Sequence, residues 1–111
     1  MFDWKKPTVQ MLGRWQPWHD GHQELFKRCI AKTGQVIIQV RDVQGSSGGK
    51  DQHDNPFNWD EVCNNIEEAL DKDNFKRGID YEIMLVPNIV NITYGRGVGY
   101  AFDEEVFEKS I

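Results

Sequence analysis

The 111-residue chain lacks the sequence features of membrane proteins, secreted proteins and proteins stabilised by a structural metal ion. No apolar run approaches the ~20 residues that cross a membrane, and Met1 to Lys6 is charged and aromatic rather than the apolar core of a secretion signal. Cys29 and Cys63 have no C-x-x-C spacing, which favours reduced packing thiols over a structural metal site. We therefore expect a cytoplasmic protein with no membrane partner.

Positive charge is also scarce. Lys and Arg number 13 against 18 Asp and Glu, which gives a formal net charge of -5, and no basic stripe runs along the chain. General nucleic-acid binders usually show such an excess or stripe, so we expect no nucleic-acid partner. The sequence has no pair of carboxylates that would indicate acid–base hydrolysis. It also has no Cys/His/Asp set of the kind found in proteases or in structural metal sites.

Short apolar runs predict the strands of one α/β domain over residues 1–111. The runs are rich in β-branched residues and are bounded by glycine, proline or polar residues. The Val-Ile-Ile run of the second strand suits a strand buried on both faces, as in a parallel sheet. The predicted strands are 8–12, 35–40 and 81–86.

Helical periodicity fills the intervals between these strands. The first helix is predicted to begin after Asp20, as N-cap, and to stop at Gly34. The second runs from its cap Asn58 to about Lys72, and a short third one covers 103–109, with Phe102 facing inward. Alternating strands and helices predict right-handed crossovers and a small parallel sheet, in a Rossmann-like three-layer α/β/α fold.

Gly13 to His22 (GRWQPWHDGH) joins the first strand to the first helix. Open α/β sheets bind ligands beyond the carboxyl ends of their strands, where a helix N-terminus offers N–H groups and a positive dipole end to phosphate. His19 and His22 are three residues apart, so at a helix start they project the same way. Two imidazoles at a phosphate suit nucleotidyl transfer, which depends mainly on positioning and charge stabilisation.

This segment resembles the motif of the nucleotidyltransferase superfamily with an H-x-G-H element, of which class I aminoacyl-tRNA synthetases are distant relatives. The version with Arg14 and Gln16-Pro17-aromatic-His is most similar to the archaeal type of nicotinamide mononucleotide adenylyltransferase. The resemblance continues through Asn55-Pro56-Phe57 and extends more weakly to Pro87-Asn88-Ile89. It implies the HUP-type nucleotidyltransferase fold and transfer of a nucleotidyl group from a nucleoside triphosphate to a small phosphorylated acceptor, with release of pyrophosphate.

The resemblance also implies which residues act. His19, His22 and Arg14 are the predicted catalytic residues, and Mg²⁺ is implied as the ion that bridges the triphosphate. Arg41 and Lys50 lie in a polar loop predicted over 41–56, which is either a solvated loop or a lid over the triphosphate. The predicted nucleotide-binding residues are Gly13, Arg14, Trp15, Gln16, His19, Gly21, His22, Arg41, Lys50, Thr93, Gly95 and Arg96.

The chain departs from that family in its second half. The late Ser/Thr-rich element with a basic residue, which grips the β- and γ-phosphates, is absent; 92–96, with Arg96 in the basic role, is the nearest substitute. Three interpretations stay open: adenylyl transfer from ATP, which we favour, cytidylyl transfer from CTP, and a nucleotide-binding module without catalysis. An exposed sheet edge makes a homodimer a further prediction. Packing of Trp15 and Trp18 beneath the loop is favoured over base stacking.

Overall fold

The computed structural model describes residues 1–42, 55–96 and 99–105. Its three strands form a parallel sheet in the order β1-β2-β3, and a helix follows each of the first two strands. The α/β class and the small parallel sheet are therefore confirmed. The elements are β1 (Val9–Gly13), α1 (Asp20–Thr33), β2 (Val36–Arg41), α2 (Trp59–Lys72) and β3 (Tyr81–Val86).

The core lies between one face of the sheet and the two helices. Val36, Ile38 and Val40 of β2 are fully buried there, whereas the alternate residues Ile37 and Gln39 are only half-buried. The expectation that β2 is buried on both faces therefore holds fully on one face only among the described residues, since Ile37 and Gln39 on the other face are half-buried. Side chains alternate between the two faces of a strand, and the described helices cover one face only.

Both helices pack on that one face and contact each other. Phe26 of α1 meets Phe75, just after α2, with ring centroids 5.0 Å apart. The Gln23 amide donates to the Ala69 carbonyl oxygen of α2 at 2.7 Å. Two crossovers of the same hand in the order β1-β2-β3 place their helices on the same side. The described residues thus build the sheet and one helical layer, and a third layer stays a prediction.

The core side chains come from every element. Each fully buried large apolar side chain contributes about 1.5–3 kcal/mol through removal from water. Cys29 and Cys63 are both buried and free, as predicted, and burial raises the pKa of each thiol. The fully buried set includes Phe26, Val36, Ile38, Val40, Val62, Ile66 and Leu70.

The helix ends follow the capping signals with one correction. Asn58 caps α2 with Glu61 in a reciprocal capping box, and Gly34 ends α1 in the left-handed conformation (φ 89°), both as predicted. Asp20, however, is not the cap of α1: His19 is. The His19 backbone is extended and its imidazole accepts the Gly21 N–H, which leaves Asp20 in the first turn, where its charge suits the helix dipole.

Two other boundaries differ from the predictions. Arg41, predicted to open the polar loop, is the last residue of β2 and pairs with Val86. The predicted helix at 103–109 does not form over its described part, and Phe102 is 61% exposed rather than inward. Glu105 and Asp103 instead reach Lys32 on the outer side of α1 as ion pairs. Within the described ranges, neither helix is long and apolar enough to cross a membrane.

Candidate nucleotide site

The β1–α1 connection is a compact turn built around Trp15. Trp15 has a left-handed backbone (φ 53°), and its indole lies flat against the end of β1, so that a Cβ on Gly13 would come within 2.9 Å of Cζ2. The indole N–H donates to the Gln39 carbonyl oxygen of β2 at 3.0 Å. The Gln16–Pro17 peptide bond is cis. Gly13 is thus required here because the indole occupies the space that a Cβ would fill.

Trp15 and Trp18 form two walls around the His22 imidazole. Trp15 meets His22 edge to face at 4.8 Å between ring centroids, and Trp18 lies 5.7 Å away on another side. Only 6% of Trp15 and 7% of Trp18 is exposed, which confirms that both pack beneath the loop. Little of the Trp15 indole reaches the surface, so its burial gives no support to the predicted contact with the nucleotide. That contact stays a prediction.

His19 and His22 together cap the N-terminus of α1. The Gly21 N–H donates to His19 Nδ1 at 3.1 Å, and the His19 N–H donates to His22 Nδ1 at 3.3 Å. The two rings stack with centroids 3.7 Å apart. Because each Nδ1 accepts a hydrogen bond, the proton of each neutral imidazole lies on Nε2. The exposed His19 ring thus offers an Nε2–H donor at the start of the helix.

His22 is held in its neutral form by its surroundings. Burial against the tryptophans and the nearby His19 lower the pKa of His22 from 6.5 to about 4, and a hydrogen bond with the Pro17 backbone opposes this decrease. A neutral His22 accepts the His19 N–H, which an imidazolium could not do through a protonated Nδ1. The cap geometry and the neutral state therefore support each other.

The Asn55-Pro56-Phe57 segment docks against this turn. Gln16 makes two hydrogen bonds of 2.8 Å with the Phe57 backbone, one to its N–H and one to its carbonyl oxygen. Arg14 Nη1 donates to the Oδ1 of the buried Asn55 at 3.3 Å. The two segments that carried the family resemblance, 41 residues apart in the chain, are thus one structural unit.

The remaining predicted site residues divide into two groups. Arg41 lies at the carboxyl end of β2, beside the end of β1, since its neighbour Val40 pairs with Gly13. Thr93, Gly95 and Arg96 follow β3 in an exposed segment, and none of the described hydrogen bonds or ion pairs joins them to the histidines. Lys50 lies outside the described residues. The structure therefore brings the GRWQPWHDGH residues together and places Arg41 at the same end of the sheet, whereas no described contact links the 93–96 group to the histidines.

The side chains gathered at the turn do not fit a resident Mg²⁺ site. Mg²⁺ prefers several oxygen ligands, whereas the turn supplies mainly imidazole, guanidinium and indole groups, with Asp20 as its single carboxylate and the Gln16 amide oxygen already bonded to the Phe57 N–H. No three His, Cys, Asp or Glu side chains within the described ranges come together where they could hold a metal ion. The implied Mg²⁺ would have to be carried by triphosphate oxygens.

Sequence reasoning missed the residues that support the turn. Gln39 accepts the Trp15 N–H through its backbone, so its identity gave no signal. Gln23 accepts from Trp18 Nε1 and donates to α2, which fixes the second tryptophan. A polar residue at position 23 inside an otherwise apolar helical stripe was a readable sign of a buried contact.

Comparison with known proteins supports the resemblance seen in the motif. No protein-family model matches the chain. A nicotinamide-nucleotide adenylyltransferase of Archaeoglobus fulgidus is 33% identical over 68% of this chain and 41% of its own length. The enzyme of that name from Methanococcus aeolicus is 29% identical over 89% of this chain and 60% of its own length. The one from Picrophilus torridus is 36% identical over 69% of this chain and 40% of its own length. The chain spans about half the length of these curated relatives.

Proposed function

We propose that this homologue of the archaeal nicotinamide-nucleotide adenylyltransferases transfers AMP from ATP to a small phosphorylated acceptor, with nicotinamide mononucleotide as the first candidate. The observation that carries the proposal is the histidine-capped N-terminus of α1 at the carboxyl edge of a parallel sheet. Seven curated relatives bear the name nicotinamide-nucleotide adenylyltransferase, which favours ATP over CTP.

The reaction needs little covalent chemistry from the protein. A phosphate oxygen of the acceptor attacks the α-phosphorus of ATP, the bond from that phosphorus to the bridging oxygen breaks, and pyrophosphate leaves with the bonding electrons. His19 Nε2–H, the first backbone N–H groups of α1 and the Arg14 guanidinium are the donors that would stabilise the charge on these oxygens. His22 stays neutral and holds His19 through the shared cap.

Turnover assays with histidine variants test this proposal. The chain, ATP, nicotinamide mononucleotide and Mg²⁺ are incubated, and the dinucleotide and pyrophosphate are measured. We expect a dinucleotide product, and a fall in kcat of about 100- to 1,000-fold in His19→Ala or His22→Ala. Glu68→Gln, on the exposed side of α2, is the matched control. Wild-type turnover in both histidine variants would show that the catalytic assignment is wrong.

A nucleotide-binding module without catalysis is the second candidate. It is favoured by the exposure of Thr93, Gly95 and Arg96, which the described contacts leave apart from the histidines. This candidate expects saturable ATP binding that depends on the histidines, with no product from any phosphorylated acceptor. Detection of one nucleotidylated product removes it.

Location and assembly are part of the proposal as well. Two buried free cysteines suit a reducing compartment, which supports the cytoplasm. β1 and β3 are the outer strands of the described sheet, and an outer strand paired with a second copy would complete a larger sheet. We accordingly propose a homodimer that acts on small molecules, with neither nucleic acid nor membrane as partner.

A further inference from the structure

Arg41 places a positive charge at the carboxyl edge of the sheet, on the face that α1 and α2 leave open. Its neighbour Val40 is fully buried in the helix-covered core, and successive side chains of a strand point to opposite faces. Arg41 Nη1 donates to the Ile89 carbonyl oxygen at 3.5 Å. The guanidinium thus sits between the end of β2 and the segment that follows β3.

The same guanidinium has an unused donor. Arg41 Nε is buried and finds no acceptor among the residues that the structure describes. A buried N–H without a partner costs free energy, and the planar fork of an arginine matches the oxygens of a phosphate. An anion that approaches the open face at this edge would satisfy that donor.

The position also fits the geometry of the proposed reaction. Val40 pairs with Gly13, so Arg41 lies one residue beyond the end of β1, and neighbouring strands are about 4.8 Å apart. In nucleotidyl transfer the attacking and leaving oxygens lie in line on opposite sides of the phosphorus. If the pyrophosphate rests on the α1 N-terminus, at the helix-covered side, an in-line attacking phosphate can approach from the side of the sheet on which Arg41 projects.

We propose that Arg41 binds the phosphate of the acceptor rather than the triphosphate of the nucleotide. The assignment rests on the proposed function for its reaction geometry, and it revises the sequence-based expectation that Arg41 belongs to a lid over the triphosphate. The acceptor class is a phosphomonoester, such as a 5′-phosphorylated ribose, whose dianion takes the paired N–H donors of the guanidinium.

Separate binding measurements for the two substrates test the proposal. Calorimetric titrations of the full chain use ATP with Mg²⁺ in one series, and nicotinamide mononucleotide or ribose 5-phosphate in the other. Arg41→Gln is expected to weaken binding of both phosphomonoesters about 10- to 100-fold and to change ATP binding less than threefold. Arg41→Lys, which keeps the charge and loses the fork, should fall between these values. Arg28→Gln, on α1, controls for the loss of one positive charge.

The outcomes separate this assignment from the proposed function. Equal or larger loss of ATP affinity in Arg41→Gln would make Arg41 a triphosphate residue and overturn the assignment. Phosphomonoester binding that is unchanged in Arg41→Gln would also overturn the assignment, and so would the absence of such binding in the wild-type chain. Either result would count against Arg41 even if ATP still bound in a manner that depends on His22. Phosphomonoester binding that depends on Arg41 in a chain that does not bind ATP would keep the assignment and remove the proposed function.

Discussion

At the scale of single residues, the site depends on how neighbours control the protonation of His22. The two tryptophan walls and the stacked His19 ring disfavour a charge on His22, while the His19 N–H needs its unprotonated Nδ1. Both effects act in the same direction. A histidine that acts through a positive charge would be held differently, beside a carboxylate that raises its pKa.

This environment predicts a pH dependence of stability. The folded-state pKa of His22 is about 4, below its ordinary value of 6.5, so the unfolded chain binds the proton more tightly. The contribution is therefore fully present above pH 6.5 and is lost as the pH falls from 6.5 towards 4. We expect the Tm of the wild-type chain to fall over this range more than that of His22→Gln, measured by calorimetry at pH 7.5, 6 and 5.

The test compares the Tm of the wild-type chain with that of His22→Gln at each pH. The comparison is needed because the carboxyls of Asp73 and Glu105 also lose favourable contacts in acid. Their pKa values are already lowered by hydrogen bonds with Gln23 and Lys32 respectively, and they contribute equally to both proteins. Parallel Tm curves for wild type and His22→Gln would contradict the neutral, half-buried state of His22.

At the scale of elements, the β1–α1 turn and the Asn55–Phe57 segment stabilise each other. The Gln16 amide satisfies both backbone groups of Phe57. We expect Gln16→Ala to cost about 1–3 kcal/mol, since it leaves two partly buried backbone groups without these partners. Chemical denaturation measures the loss, and faster hydrogen exchange of the Phe57 amide locates it. Gln10→Ala, at an exposed position of β1, is the matched control.

An outcome in which Gln16→Ala is as stable as Gln10→Ala, with unchanged Phe57 exchange, would show that the two segments are not coupled. Both measurements are made without nucleotide, because Gln16 is also a predicted nucleotide contact.

Gly13→Ala tests the close packing of Trp15 on β1. The new Cβ would lie 2.9 Å from Trp15 Cζ2, so the indole must move, and the His22 imidazole loses one wall with it. Overpacking of this kind costs about 1–3 kcal/mol. We expect that loss in urea denaturation, with a change in the tryptophan fluorescence spectrum of the folded state. Gly95→Ala, where nothing lies within 4 Å of the new Cβ, should change neither.

The elements themselves could be predicted from the sequence, and their supporting contacts could not. Hydrophobic periodicity located the three strands and two helices of the described ranges within about a residue, because burial on one face sets that periodicity, whereas the helix predicted at 103–109 does not form over its described part. The sequence predicts Asp20 as the cap of α1 because aspartate is a preferred N-cap residue, and only the geometry shows that His19 Nδ1 accepts the Gly21 N–H. The polar residues from position 41 onward predict a loop that begins at Arg41, whereas β2 continues through this residue.

The contacts between distant segments leave no trace in local patterns. The pairing of Gln16 with the Phe57 backbone and of Trp15 with the Gln39 carbonyl oxygen uses main-chain groups, which every residue type carries. The family resemblance included both the GRWQP and NPF segments, but it did not indicate that they touch. The structure adds the physical reason, which is a shared set of hydrogen bonds.

At the scale of the whole molecule, the open face and outer strands of the sheet bear on assembly. Half-buried Ile37 and Met84 lie on the face opposite the described helices, and β1 and β3 each have one unpaired side within the described sheet. The proposed homodimer predicts a sedimentation coefficient that rises with concentration through the micromolar range. A single monomeric species throughout that range would contradict it.

The proposed role of the histidine-capped start of α1 is to bind the triphosphate of ATP. An entering phosphate must compete with His19 Nδ1 for the Gly21 N–H, so that amide reports binding directly. In a ¹H–¹⁵N NMR titration with ATP and Mg²⁺, we predict saturable shifts of the Gly21 and His22 amides, while the Glu68 amide on α2 stays in place. Shifts confined to other parts of the chain, or no shift at millimolar ATP, would contradict the account.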